Sequence, residues 1–154
     1  MSESVPFLPD PNGVLVTLDA DDIELLSQIP EFLATVGTVP DDPAAARLQV
    51  PVYLDDPEAS QEWWRFMGTE LDQSRRADRS AFELIVEASA TGTVMSMAEA
   101  EAFLRVLNEA RLALAARLKV EVEEDYERLD EPDRGALDYL AGMQGLLLLV
   151  LSTP

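Results

Sequence analysis

The stretch that decides the fold class is residues 96–118, which read SMAEAEAFLRVLNEARLALAARL. Ser96 and Glu99 have the spacing of a capping box, in which each side chain bonds the backbone N–H of the other residue at a helix start. Apolar residues then recur at helical spacing, at Phe103, Leu104, Leu107, Leu114 and Leu118. The sequence therefore predicts a long amphipathic helix that ends near Leu118 and a mainly α fold around it.

Two short runs outside this stretch predict strands, Val14–Leu18 and Thr93–Met97, because both are rich in β-branched or other strand-forming residues. Each run is followed by a capping residue, an acidic first turn and an apolar stripe. We expect the two strands to pair as a small two-stranded antiparallel ribbon beside a helical bundle.

Capping residues and prolines locate the other helices. Asp19 is the predicted N-cap of a helix that Pro30 either kinks or splits in two. Asp56-Pro57 begins a helix that runs to about Ala88, and Pro132 begins the last helix. Residues 38–57 are a connection that we expect to be held down by three apolar side chains, Leu48, Val52 and Tyr53. We predict an extended tail over residues 1–13 and a single helical domain over residues 14–151.

The composition excludes several kinds of active site. The 154 residues include 11 Lys and Arg, 30 Asp and Glu, and neither His nor Cys. A Ser-His-Asp triad, a thiolate nucleophile, a disulfide and a zinc site with His or Cys ligands are therefore excluded. No phosphate-binding glycine loop occurs, and no acidic run fits a calcium loop. We expect a protein that is not an enzyme and that carries no cofactor and no metal.

The net charge of −19 and the absence of long apolar runs constrain location and partners. The longest apolar run, Leu146–Leu151, is much shorter than the roughly 20 residues of a membrane span. The first residues lack the basic and apolar regions of a signal peptide, so we expect a cytoplasmic protein that does not enter a membrane. A strongly negative chain repels DNA, and we expect no direct non-specific binding to nucleic acid.

Three of the eleven basic residues lie close together, at Arg75, Arg76 and Arg79. One interpretation is a contact site for a phosphate or an acidic partner. The alternative is a solvated helix face on which these arginines pair with Asp72, Asp78 or Glu83, one helical turn away.

Arg111 shares the apolar face of the helix that contains it, because Leu107 and Leu114 lie one turn away on either side. A buried guanidinium requires a hydrogen-bonding partner. Asn108 is one turn away, and Glu70 and Asp138 are candidate carboxylate acceptors. We expect Asn108 and Arg111 to form a buried polar network that either fixes helix packing or binds a ligand or partner.

The run Leu146–Leu151 is apolar around the whole helix circumference, which a helix with one core-facing side does not require. Either this helix is central in the bundle, or its second face contacts another chain. We expect a homodimer with its interface at Leu146, Leu147, Leu149 and Val150.

Four segments together carry a resemblance to a known family: Val14–Leu26, Arg47–Tyr53 with Asp55–Ala59, Glu70-Leu71, and Leu107–Leu118. They resemble an actinobacterial family that is catalogued as a domain of unknown function and is commonly encoded beside the ClpS adaptor. Its most specific part here is the Leu-Asn-x-x-Arg-Leu-x-Leu-x-x-Arg-Leu pattern of residues 107–118. One branch of that family contains the AosR oxidative-stress transcriptional regulators, which sense oxidant through a cysteine pair and act with a stress sigma factor.

The resemblance implies a non-enzymatic regulatory or interaction protein that is associated with transcription. Because the chain has no cysteine, the thiol sensor of the AosR branch is absent. RNA polymerase or a sigma factor is then the expected partner. Two alternatives stay open: an accessory factor of ClpS-linked proteolysis, and a small-ligand-binding protein that uses Arg111 and Asn108.

Overall fold

A computed structural model describes residues 5–49 and 55–153 of the chain. Its three strands are β1 (Phe7–Asp10), β2 (Gly13–Val16) and β3 (Thr93–Met95). Its seven α-helices are α1 (Ala20–Leu26), α2 (Ile29–Ala34), α3 (Pro43–Leu48), α4 (Pro57–Ala88), α5 (Met97–Arg117), α6 (Glu123–Glu127) and α7 (Glu131–Leu151). The prediction of a mainly α fold with a small antiparallel ribbon is confirmed.

The strands form one antiparallel sheet in the order β1-β2-β3. The predicted pairing of the two strands is confirmed, with Val14 opposite Met95 and Val16 opposite Thr93. β1 lies within residues 1–13, for which three prolines and a closing Asn-Gly predict an extended tail, so the sequence does not predict this strand. It pairs with β2 as an edge strand, where a proline is tolerated, and the side chain of Phe7 is buried.

Gly13 is needed where β2 meets β3. Its φ is +144°, and a Cβ at this position would lie 2.0 Å from the carbonyl oxygen of Met95. A residue with a side chain would therefore force the two strands apart.

The predicted helix starts are confirmed by their caps. Ser96 and Glu99 form both hydrogen bonds of the capping box, Asp19 accepts from the backbone N–H of Asp22, and Asp56 accepts from that of Ala59. Pro30 lies at the start of α2, so the region is split into two short helices, as one of the two expectations had it. α4 continues without interruption over 32 residues.

Two short helices were not predicted. α3 lies within the connection 38–57, where Asp42 caps it and Pro43 begins it, and α6 lies in the acidic segment between α5 and α7. Leu48 is buried as expected, whereas Val52 and Tyr53 lie outside the described residues.

α5 is the central element and packs against α2, α3, α4, α7 and the sheet. The rings of Phe7, Phe82 and Phe103 meet in the core, with ring centroids 4.4 Å apart for Phe82 and Phe103 and 5.8 Å apart for Phe7 and Phe103. Because α5 is covered from several sides, its buried residues include Ala100, Ala110 and Ala113, which an analysis of one apolar face does not select.

α7 is long and apolar enough to cross a membrane, with a mean hydropathy of 1.2 over its most apolar segment. No other described helix meets this criterion. Leu140, Met143 and Leu147 of α7 belong to the hydrophobic core, so we interpret α7 as a helix of the bundle.

Candidate functional site

A polar network joins α5 and α7 around Arg111. The Oδ1 atom of Asn108 accepts hydrogen bonds from Nη2 of Arg111 and from Nε2 of Gln144, each at 3.3 Å. Asn108 and Arg111 are therefore hydrogen-bonded to each other, but both residues are only partly buried, and Gln144 is the third member of their network. This glutamine was missed because only the packing of α7 on α5 brings it to Asn108.

No carboxylate pairs with Arg111 among the described residues. The expectation that Glu70 or Asp138 accepts from it is wrong, since Asp138 accepts from the hydroxyl of Tyr126 and Glu70 is exposed on α4. Arg79, Arg105 and Arg117, by contrast, each contact a carboxylate of a different element.

The network is also incomplete. Nε of Arg111 and Oε1 of Gln144 are buried and have no hydrogen-bonding partner. Buried polar atoms without partners are uncommon in folded proteins, and they often mark a place where a ligand, ion or water belongs.

Arg111 lines an open cleft between α3, the carboxyl-terminal half of α5 and the loop that leads to α6. The cleft has a volume of about 980 Å³. Two further cations line it, Arg47 and Lys119, and its walls also contain small apolar residues. We call this the Arg111 cleft. Its size matches that of clefts that bind small molecules.

Lys119 lies in an unusual conformation at the end of α5. Its φ is +59°, and its backbone N–H donates to the carbonyl of Ala116 while that of Val120 donates to the carbonyl of Ala115. This is a Schellman motif, in which glycine is the usual residue at the left-handed position. Here the position carries the only lysine of the chain.

Two carboxylates, those of Glu121 and Asp125, also line the Arg111 cleft. The Asp125 carboxylate accepts from the backbone N–H groups of Glu121 and Val122, at 3.0 and 3.2 Å. These hydrogen bonds hold the pKa of Asp125 below its ordinary value. The Asp125 carboxylate therefore binds the backbone at the start of α6, and these N–H donors offset part of its negative charge.

The three clustered arginines of α4 have different roles. Arg75 donates to the carbonyl of Leu48 at 3.0 Å, and Arg79 donates to Glu109 at 3.3 Å, whereas Arg76 is exposed. They line a second cleft of about 680 Å³ with Trp64 and Glu83. The expected pairing with Asp72, Asp78 or Glu83 is wrong, because the partners of Arg75 and Arg79 come from α3 and α5. Only Arg76 is left with an exposed side chain for an acidic partner.

Two buried acids on the contact between α4 and α5 were not predicted. Asp78 accepts from Nε and Nη2 of Arg105, at 2.8 and 3.0 Å. Glu109 is buried, which raises its pKa, and Arg79 opposes that shift. Neither acid is distinguishable from the many surface acids in the sequence, since only helix packing determines which ones are buried.

The four residues predicted as a dimer interface divide between the two sides of α7. Leu147 is fully buried in the core of the chain itself, so its placement in an interface is wrong. Leu146 and Leu149 are exposed, and Val150 is partly buried against the core. α7 is therefore not central in the bundle, and its second apolar face is open.

Among residues 5–49 and 55–153, no group of His, Cys, Asp and Glu residues has a geometry that could hold a metal ion. The groups that line the Arg111 cleft are two guanidinium groups, a lysine, two carboxylates and apolar side chains.

These features define a small helical protein with a compact β-sheet and no recognisable catalytic constellation in its described part. Residues 4–151 match the family described as Domain of unknown function (DUF2017), and the chain belongs to this family. Neither a curated protein nor a solved structure matches the chain significantly.

Proposed function

We propose that the protein is a non-enzymatic cytoplasmic regulatory protein that acts by binding other proteins, as a homodimer, in association with transcription. The observation that carries this proposal is the open apolar face of α7. Gly142, Gly145, Leu146 and Leu149 are all exposed, and their spacing places them on the side of the helix opposite to Leu140 and Leu147.

The expected occupant of this face is the same face of a second copy. Residues 139–153 contain no charged side chain, although the chain as a whole has a net charge of −19. Two copies repel each other through most of their surfaces, and this uncharged face is where that repulsion is least. Gly142 and Gly145 have no atom within 4 Å of the position of an added Cβ, so a second helix can approach closely there.

The sheet supports a second contact, with a partner of opposite charge. Leu8, Leu15 and Val94 are cross-strand neighbours on the face of the sheet that points away from the core. Leu8 and Val94 are 44% and 43% exposed. The first 46 residues carry nine acids and no base, so this apolar row lies in an acidic region and favours a partner with a basic surface.

RNA polymerase or a sigma factor is the proposed partner, on the strength of the resemblance to the AosR regulators. The protein would contact the transcription machinery rather than DNA, because a net charge of −19 opposes binding to a phosphate backbone. Without cysteine, any regulation would not use a thiol sensor.

The test is a pull-down from native lysate at low and high salt with the tagged protein and two variants. Leu8→Ser combined with Val94→Ser alters the outer sheet face, and Leu84→Ser is the control because Leu84 is 66% exposed on α4. We expect salt-sensitive recovery of RNA polymerase or a sigma factor that the double variant loses and the control keeps. Arg76→Glu tests the arginine cluster without disturbing the contacts of Arg75 and Arg79.

Other outcomes of the same pull-down decide against this proposal. Recovery of Clp components in place of RNA polymerase would favour the accessory role in ClpS-linked proteolysis. Equal recovery with all variants would exclude the sheet face as the contact.

A second candidate function is the binding of a small ligand, and a specific observation favours it. Ligand binding at Arg111 requires an open cleft that reaches this residue. A buried carboxylate bonded to the Arg111 guanidinium would oppose ligand binding. The cleft is open, and no described carboxylate pairs with the guanidinium.

A further inference from the structure

We propose that the Arg111 cleft binds a small organic oxyanion, a carboxylate or phosphate monoester that carries an apolar group, and that Arg47, Arg111 and Lys119 hold its charged end. The inference rests on the second candidate function above and names its ligand class.

The cations of the Arg111 cleft favour an anionic ligand. Three of the eleven basic residues line this cleft beside two carboxylates, and one of these, Asp125, is already held by backbone N–H groups. Arg79, Arg105 and Arg117, which reach a neighbouring element, each pair with a carboxylate there. Within the described part of the chain, the guanidinium of Arg111 instead forms one hydrogen bond, at 3.3 Å to a neutral amide.

The backbone conformation of Lys119 also favours a functional role for its side chain. An L-residue in the left-handed conformation is less stable there than glycine, which closes most helices of this type. Conformational strain of this kind is concentrated at functional sites, where a side chain is required for another reason. The side chain that the strained position carries is the only lysine, and it lines the same cleft as Arg111.

The rest of the cleft lining determines the uncharged part of the ligand. Pro43, Ala46, Leu112, Ala115 and Val120 form the apolar part of the walls. A guanidinium and an ammonium group favour an oxyanion such as carboxylate or phosphate. A wholly polar ligand such as free inorganic phosphate would leave the apolar walls unused, so an anion with an apolar group fits the whole cleft.

The test uses three probes that share one chain length: hexanoate, hexyl phosphate and the neutral hexan-1-ol. Each is titrated into the full-length protein at about 0.15 M salt, a concentration that screens the overall negative charge beyond roughly 8 Å. Binding is measured by changes in the backbone amide NMR signals of α3, of the end of α5 and of the loop to α6. We expect hexanoate or hexyl phosphate to bind at least ~10-fold more tightly than hexan-1-ol, and the better of the two identifies the oxyanion.

Two variants and a control test the residues. Lys119→Gly is expected to raise the melting temperature by about 2–4 °C, because it relieves the left-handed strain, and to weaken binding of the preferred anion ~10-fold. Arg111→Gln is expected to weaken the same binding by a similar factor. Arg65→Gln removes one exposed positive charge of α4 outside the cleft and is expected to change neither property.

The outcomes separate the inference from the function on which it rests. If hexan-1-ol binds in the cleft as tightly as both anions, the inference is wrong while ligand binding stands. If no probe changes the signals of the cleft, both are wrong. If Lys119→Gly stabilises the protein without weakening anion binding, the lysine has no part in the site and the proposal is overturned.

Discussion

Arg117 and Asp42 lie 75 positions apart in the chain and form a two-point ion pair, with Nη2 and Oδ2 separated by 2.8 Å and Nε and Oδ1 by 3.3 Å. Arg117 also donates to the hydroxyl of Thr35 at 2.9 Å and lies 5.1 Å from the ring centroid of Phe32. The pair joins the carboxyl-terminal end of α5 to the start of α3. It therefore holds together two helices that both line the Arg111 cleft.

Asp42→Asn is expected to destabilise the protein at neutral pH, and the loss is expected to shrink in acid. The hydrogen bonds from Arg117 and from the backbone of Gly37 and Ala44 lower the pKa of Asp42 well below its ordinary value of 3.8. A depressed carboxyl pKa gives stability that is present above about pH 3.8 and is lost as the pH falls toward the folded-state pKa. Urea unfolding from pH 7 to pH 3 measures this difference.

Asp41→Asn is the matched control for that series. Asp41 is the exposed neighbour of Asp42 and has a φ of +58°, a conformation that asparagine adopts as readily as aspartate. We expect almost no change in stability at any pH. If the loss of unfolding free energy in Asp42→Asn stays constant down to pH 3, the role given to the ion pair is contradicted.

Glu109→Gln is expected to show the opposite dependence on pH. Burial raises the pKa of Glu109 above its ordinary value of 4.5, so the folded state holds this proton more tightly than the unfolded state does. The contribution of Glu109 to stability is then lost as the pH rises above about 4.5. The free energy of unfolding of the variant should therefore increase relative to that of the wild type between pH 4 and pH 7.

Glu101→Gln, an exposed site on the same helix, is the control and should show no such trend. Urea unfolding of both variants at each pH gives the comparison. A relative stability of Glu109→Gln that falls with rising pH would mean that attraction to Arg79 outweighs the cost of burial.

Gly13→Ala is expected to destabilise the protein by ~2–4 kcal/mol, because the new Cβ would collide with the carbonyl of Met95 and φ is +144°. Gly135→Ala, in open space within α7, is expected to stabilise it by about 0.5–1 kcal/mol. Chemical denaturation measures both. Equal effects of the two substitutions would contradict the close approach of β2 and β3.

Leu149→Glu is expected to convert the proposed dimer to a monomer, with at least a ~10-fold rise in the dissociation constant for this loss of apolar contact. Leu84→Glu is the matched control, since Leu149 and Leu84 are 68% and 66% exposed and only Leu149 lies on the open face of α7. Light scattering and sedimentation at micromolar concentration report the mass. A wild-type monomer under these conditions would refute the dimer.

The sequence by itself determined those parts of the molecule that depend on local interactions. The starts of α1, α4 and α5 follow from caps at Asp19, Asp56 and Ser96, because the cap bonds join residues at most three positions apart. Pairing of β2 with β3 followed from two short strand-like segments that each precede a helix. The short elements α3, α6 and β1 escaped detection, since a helix of five or six residues or an edge strand with a proline has little periodicity to detect.

Only the tertiary structure decided which of the many charged residues are buried and which residues they contact. The sequence placed Asn108 and Arg111 in one network because both lie on one helix, one turn apart. It could not supply Gln144, nor the cleft that Arg111 shares with Arg47 and Lys119, because those residues meet through the packing of α3 and α7 on α5. The partners of Asp42, Asp78 and Glu109 are likewise 27 to 75 positions distant. The chain has 30 acidic residues, and no local sequence pattern distinguishes the few that helix packing buries. Burial is what gives the charges of these few residues a large effect on stability.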